Sequence, residues 1–412
     1  MLTGRSLVIA MCLGQVGNLL PHVAVPAVMP RHLMPLWHLS GAEAGFMASA
    51  FALGYMVAVP ILTALTDRID ARSILFVGSA INALGTIAFG LFADGLWSAS
   101  LFWALTGIGF AGAYMPGLKA LTDRLAPGDS SRSVTIYTAS FSFGVGLSFL
   151  VAQLVADRLG WRAAFFVTGI APVLMLLACV AMRPVTPQPT ERRLLDFRPA
   201  MKNRAAMGYV LGYGAHCFEL YGIRTWLVAF WSFIAMRNSG AVPLDALAVS
   251  TIFSLLALPA SVIGNEAAIR FGRHRAIKSV MLGSAAVAVA IGLCIGFSPW
   301  VLLGLLLVYA FTVPADSGAL TSGMTMSAAP EQRGSTMALH STVGFGLSAA
   351  GAWGFGIVLD AAGGPASDTA WMAGFGLLAV SILLGPLALS WSTHARSSPT
   401  SFKSGSRGWA DG

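Results

Sequence analysis

"LTDRIDARSIL" (65–75) is a short charged turn between two long apolar blocks. Asp67, Arg68, Asp70 and Arg72 fall within six residues, while neither flanking block carries another charge for about 20 residues. The pattern returns about 200 residues later as "AAIRFGRHRAI" (267–277). A turn of this kind, used twice at one offset, joins two membrane-crossing helices in each half of a duplicated chain.

The rest of the sequence fits that reading. Of 412 residues, 56% are hydrophobic and 10% charged, where a soluble protein is about a quarter charged. The apolar residues fall in blocks of about 20, the length of an α-helix crossing a hydrocarbon core ~30 Å thick. The fold expected is all-α, with twelve transmembrane helices in two six-helix bundles. Spans are placed near 6–30, 41–66, 74–93, 97–118, 134–156, 163–182, 206–235, 246–268, 277–297, 300–325, 335–358 and 369–391. The first apolar run is too long for a cleavable signal and has no small-x-small cleavage site.

The one long polar connection inside the chain, "RPVTPQPTERRLLDFRPAMKNR" (183–204), divides the spans six and six. This gives a first bundle over 1–182, a linker over 183–205, a second bundle over 206–391 and a polar tail over 392–412. The tail is expected to be disordered. Alternate loops differ in charge: sixteen Lys and Arg on one side against Arg31, Arg158, Arg162 and Arg237 on the other. The rich side is cytoplasmic by the positive-inside rule, and the tails, with Arg5, Arg396, Lys403 and Arg407, fall on it. The expected location is the cell inner (plasma) membrane with both termini cytoplasmic. The formal charge of +8 is then a topology signal; a nucleic-acid surface would gather those charges on one folded face. Cys12, Cys179, Cys217 and Cys294 all sit inside spans, with no CxxC pair, and read as small buried apolar residues.

The halves echo each other further. "APGDSSRS" (126–133) matches "APEQRGS" (329–335), "VGLS" (145–148) matches "FGLS" (345–348), and Asp157 lies opposite Asp360. Even span counts at equal spacing make the repeats parallel, related by an axis along the membrane normal, with a substrate site between them near the midplane.

At this point the chain resembles the major facilitator superfamily across about 6–391. That family's motif between helices two and three has the form GxxxDRxGRRxxL. "TALTDRIDARSIL" (63–75) keeps Asp67, Arg68, Arg72 and Leu75 and replaces the usual Gly, Gly and Arg with Thr63, Asp70 and Ala71. The second copy, "GNEAAIRFGRHRAI" (264–277), keeps Arg270, Gly272 and Arg273 but has Ile269 where Asp is usual. "WALTGIGFAGA" places Trp103 where the fourth-helix motif starts with Arg, and "LGWRAAFF" (159–166) resembles the usual start of helix six. The resemblance implies a gating role for Asp67, Arg68, Arg72, Arg270 and Arg273: their side chains would pair with helix ends across the halves in one state and part in the other.

"GIGFAG" (107–112) matches a dinucleotide fingerprint, but it lies inside an apolar helix with no preceding strand; close helix packing through small residues explains it. Gly144, Gly146, Gly344, Gly346, Gly351, Gly354 and Gly356 read the same way, as places where backbones approach and slide. Gln15, Asn18 and His22 fall within an arc of about 60° on helix one, a polar stripe expected to face a wet cavity. On helix seven, Tyr209, Tyr213, His216, Glu219 and Arg224 share an arc of about 140°. A charge at the bilayer centre costs roughly 2.5–3.5 kcal/mol on insertion scales, so these groups should face the bundle interior, although Arg224 could instead snorkel to the interface. Asp316, deep in helix ten among Thr312, Ser317, Thr321 and Ser322, is a second buried carboxylate, whereas His340 begins helix eleven and reads as interfacial. His216 and Glu219 have the spacing of two metal ligands, but no second His or Cys cluster accompanies them and no metal or cofactor is expected.

The substrate-binding candidates are thus Gln15, Asn18, His22, Tyr213, His216, Glu219, Arg224 and Asp316, with Glu219 and Asp316 as proton-coupling carboxylates. No Walker loop, GxSxG elbow or HExxH is present, and no enzyme is expected. Secondary active transport of a small organic solute by a monomer, coupled to protons, fits best; a non-transporting sensor or scaffold of the same fold is the alternative. Within transport, Arg224, His216 and Lys119 suit uptake of an organic anion, and the aromatic lining of helix seven suits efflux of an amphipathic compound.

Overall fold

A computed structural model describes residues 2–125, 130–187, 196–329 and 332–393, without the side chains of residues 130, 131 and 393. Arg192 and Arg193, part of each "AP" loop in the repeat, and the tail from 394 onward lie outside the described residues.

The described chain is helical throughout. Ten helices are long and apolar enough to cross a membrane, and Gly4–Leu19 with Ala24–Trp37 forms one further pair bent by 48°. In chain order the elements are α1 (Gly4–Leu19), α2 (Ala24–Trp37), α3 (Gly41–Leu65), α4 (Ala71–Phe92), α5 (Leu96–Thr122), α6 (Ser130–Leu159), α7 (Trp161–Ala181), α8 (Arg204–Arg237), α9 (Ala246–Phe271), α10 (Arg273–Leu293), α11 (Pro299–Ser327), α12 (Arg333–Ala361) and α13 (Asp368–Ser392). Outward-facing apolar side chains such as Leu101, Val262 and Leu387, at 66%, 60% and 64% exposed, form the surface of a multi-pass membrane protein.

One expectation changes here, and one helix stands apart from the ten. The first span is not one continuous helix over 6–30. It breaks between Leu19 and Ala24, loosens into a π-turn at Met29–Leu33 and runs on to Trp37. Pro21, Pro26, Pro30 and Pro35 each lack an N–H, which removes ladder bonds and bends the segment. The second case is α8. At 34 residues and 1.5 Å rise it runs about 50 Å, yet it is too polar to count among the ten. Its mid-helix charges are turned into the protein: Glu219 and Arg224 are 0% and 7% exposed. Asn203 starts it, its side-chain carbonyl accepting the Ala206 N–H at 3.1 Å.

Helices before the linker meet helices after it chiefly along two seams, α3 on α12 and α6 on α9, and α2 also touches α8. Glycines permit the closest approaches. A Cβ at Gly107 would lie 2.0 Å from the Phe51 carbonyl oxygen, and one at Gly356 would lie 2.1 Å from that of Gly41. Of the other glycines singled out from sequence, Gly146 and Gly346 also face the opposite half, against Leu255 and Met56, while Gly144, Gly344, Gly351 and Gly354 pack within their own.

The opening motif is organised by the residue that departs from the family pattern. Both Asp70 carboxylate oxygens accept from Arg124 Nη2 at 2.8 Å, and one also accepts the Val185 N–H at 2.8 Å. Arg124 also donates to Arg183 O, and Arg72 to Met182 O. The ends of α4, α5 and α7 are thereby tied together where the linker begins. Partial burial pushes the Asp70 carboxyl up, but Arg124 and the backbone N–H groups of Val185 and Arg72 outweigh it and hold it below the usual carboxylate value. A lowered folded value means the clamp contributes fully above the ordinary carboxylate range and is lost as pH falls through the lowered value. Arg124 is only 1% exposed at its side chain, so Asp70→Ala should cost ~3 kcal/mol by stranding a buried charge. Thermal unfolding in detergent checks this, and the gap from wild type should narrow on acidification below about pH 4.

Candidate functional site

The polar stripe of α8 does not face one cavity. His216 Nδ1 lies 2.7 Å from Asp316 Oδ1, both side chains 2% exposed, a close contact not aligned as a hydrogen bond. Asp316 occupies the break in α11 after Pro314, so the proline kink sets the carboxylate against α8. Tyr213 stacks on His216 at 5.5 Å and on His340 at 3.8 Å between centroids. His340 is therefore buried in a ring stack rather than interfacial, with Thr321 Oγ1 3.4 Å from its Nε2.

Glu219 turns to α10 and α11. Its Oε1 accepts from Ser284 Oγ at 2.8 Å and Tyr309 OH at 3.0 Å, and its Oε2 has no partner. The His-x-x-Glu pair thus splits between two environments, and among the described residues no three His, Cys, Asp or Glu side chains converge on a common point.

On α1 the stripe also turns inward. Gln15 accepts from Tyr137 OH at 2.8 Å, and Asn18 donates to Ser79 at 3.0 Å. Neither lines either of the two voids described below. Only His22 of the three does so: its Nε2 lies 3.2 Å from Tyr221 OH of α8, across the halves.

Two voids lie between the halves. A vestibule of about 570 Å³ opens at the linker end, lined by Asp67, Arg68, Lys119, Phe197, Gln332 and Ala338 among others. Deeper, a void of about 20 Å³ is lined by His22, Phe51, Trp103, Tyr221 and Arg224. Between them, Tyr55 of α3 stacks on Phe345 of α12 at 3.6 Å. On α3, Ala48 to Ala52 line the deep void and Pro60 to Thr66 the vestibule, so Tyr55 falls at the divide. Beyond the deep void the far end is shut. Asp360 accepts the Gly41 and Ala42 N–H groups at 2.7 Å each, capping α3 from the opposite half, a favourable place for a carboxylate.

Arg224 has not snorkelled. It is 7% exposed, its guanidinium lies 5.2 Å above the Tyr221 ring, and among the described residues no carboxylate lies within salt-bridge distance. The other groups read with it as an anion site are engaged: Lys119 pairs with Asp123 at 3.2 Å, and His216 lies against Asp316. The gating candidates lie in different settings. Arg72 serves the Asp70 clamp, Arg270 pairs with Glu266 at 3.0 Å, Arg273 contacts Met326 Sδ at 3.0 Å, and Asp67 and Arg68 line the open vestibule.

The profile of the Major Facilitator Superfamily matches residues 11–352. The chain belongs to the Major Facilitator Superfamily. Its superfamily relatives include human protein spinster homolog 1 (24% identical over 55% of this chain and 46% of that one) and Bacillus subtilis multidrug resistance protein 2 (23% over 76% and 79%). The benzoate transport protein of Acinetobacter baylyi is 26% identical over 39% of this chain and 34% of its own. The matched stretches span 30%, 46% and 27% of the first three curated relatives. Among solved structures, a bacterial homolog of the human lysosomal transporter spinster, inward-facing and occupied, superposes with TM-score 0.69 at 16% identity, covering 93% of this chain and 94% of that one. The nucleoside transporter NupG superposes at 0.73 and 14% identity, over 94% and 100%. The benzoate, spinster and nucleoside proteins among these are named as transporters.

Sequence reading missed three superfamily-position features. Asp70 registered only as a lost glycine and Trp103 as a lost arginine. Asp360 was visible as the echo of Asp157, but its partner was not; Asp157 itself pairs with Arg31 and His32.

Proposed function

We propose that this chain is a secondary transporter that carries a small organic solute across the plasma membrane by alternating access, coupled to protons. The observation that carries the reading is the interrupted path between the halves: a vestibule open at one end, an aromatic divide at Tyr55 and Phe345, a deep void with Arg224 and His22, and a backbone-tight seal at the other end. Each barrier lies on a seam between the halves, so rocking them exchanges which end is closed. In this reading α1 with α2 forms one bent span and α8 another, giving twelve spans in two six-helix bundles joined by the linker. The Lys and Arg asymmetry puts the linker end in the cytoplasm, and the state is then inward-open.

The rings of His340, Tyr213 and His216 lead from the vestibule side towards Asp316, with Glu219 on the same helix. In this reading the two carboxylates take up and release the coupled proton, and Asp67, Arg68, Arg72, Arg270 and Arg273 close the linker end when the vestibule collapses. Gln15 and Asn18 hold α1 against α4 and α6, leaving His22 and Arg224 for the substrate.

Counterflow in proteoliposomes tests the proposal. Protein loaded with an unlabelled organic solute should concentrate its labelled form transiently, and an imposed pH gradient should drive accumulation. A protein that binds solutes yet gives no counterflow with any of them would contradict transport. A tyrosine-to-alanine change at the divide, Tyr55→Ala, should raise the exchange rate several-fold by removing one leaf of the stack, whose worth is ~1 kcal/mol beyond its buried area.

A further inference from the structure

The deep void gathers the donors of Arg224 and Trp103, and the partner it offers Arg224 is the Tyr221 hydroxyl rather than a carboxylate. Arg224 has no carboxylate partner among the described residues. Trp103, 1% exposed, lines the same void with its indole Nε1–H unpaired, and His22, 4% exposed, has Nδ1 unpaired. A buried Trp N–H normally finds an acceptor, and a buried guanidinium without a counter-charge is costly. The two buried carboxylates of the second half cannot serve: Asp316 is engaged by His216, and Glu219 by Ser284 and Tyr309.

We infer that this void is the head-group site for a planar organic monocarboxylate, whose two oxygens accept from Arg224 and from the Trp103 indole N–H. The inference rests on the transport reading and names its substrate class. One arginine balances one negative charge, and a second charge in the same dry space would stay uncompensated. The rings of Phe51, Trp103 and Tyr221 on its lining favour a flat apolar body, and Phe110 and Phe141 back His22 from behind at 5.0 and 5.6 Å between centroids. At about 20 Å³ the void has room for about one water and none for an aromatic ring. Filling it requires the Tyr55–Phe345 stack to part, which couples binding to the divide. Trp103 stands where the superfamily's fourth-helix motif starts with arginine; here the cation of the void comes from the opposite half.

Binding of benzoate, benzamide and phthalate to the purified full chain tests this by calorimetry, with no variant needed. Benzoate should bind at least tenfold tighter than uncharged benzamide and than dianionic phthalate. Trp103→Phe keeps a ring and loses the N–H; it should weaken benzoate roughly tenfold, the scale of one hydrogen bond to a charged group, and leave benzamide unchanged. Arg224→Gln should erase the preference for benzoate over benzamide. Equal binding of benzoate and benzamide, binding of neither, or full benzoate affinity in Trp103→Phe would overturn the assignment. Counterflow of an uncharged solute by a protein that ignores benzoate would sink the substrate class and leave transport standing. Benzoate binding without benzoate counterflow would support the site and count against transport.

Discussion

Gly356→Leu should trap the protein with its far end open. A Cβ at position 356 would sit 2.1 Å from the Gly41 carbonyl oxygen and 2.9 Å from Trp226 Cζ2. The first neighbour is backbone, so no rotamer change relieves the overlap, and the Asp360 cap on Gly41 and Ala42 must separate with it. Overpacking of this kind costs up to about 3 kcal/mol, which shifts a two-state equilibrium by roughly two orders of magnitude. Because the residue touches neither void, the variant should still fold and bind ligand from the far side, while exchange falls to background. Retained exchange at the wild-type rate would show that the Gly41–Gly356 contact does not gate the path.

Glu219→Gln should abolish accumulation driven by a pH gradient and leave substrate affinity unchanged. The carboxylate is fully buried, takes both of its hydrogen bonds on Oε1, and lines neither void. Glutamine keeps that acceptor and removes the titration. Uptake against a gradient should fall at least tenfold, with equilibrium exchange within about twofold of wild type. An affinity loss as large as the transport loss would place Glu219 in the substrate site instead. If accumulation persists, the His216–Asp316 pair becomes the coupling site, and Asp316→Asn should then give the phenotype described for Glu219→Gln.

The architecture was legible because lipid imposes a blunt rule: apolar blocks of fixed length and polar turns between them. The duplicated turn at 65–75 and 267–277 gave the halves and their common orientation. Proline-dense segments were harder to place, since four prolines between 21 and 35 break one span without shortening its apolar block. The side chains of the polar stripes were not legible. A helical projection shows which residues share a face but not what they meet, so Gln15, Asn18 and Glu219 could not be assigned to Tyr137, Ser79 and Ser284 on distant helices. Asp70 was misleading for the same reason: its partner Arg124 lies 54 residues away and looked like one more loop charge. Arg224 read from sequence as an interior or an interfacial cation alike; its burial and its lack of a carboxylate partner required the packing.

Paired distance measurements test the rocking of the halves most directly. Spin labels at Ala42 and Ala361 report the far end, and labels at Thr122 and Gln332 report the vestibule mouth, in protein lacking Cys12, Cys179, Cys217 and Cys294. Pulsed electron resonance on the otherwise unchanged protein should give a short far-end distance and a long mouth distance. Adding Gly356→Leu should lengthen the first and shorten the second together. A far end that opens while the mouth stays open, or two distances that move in the same direction, would contradict alternating access.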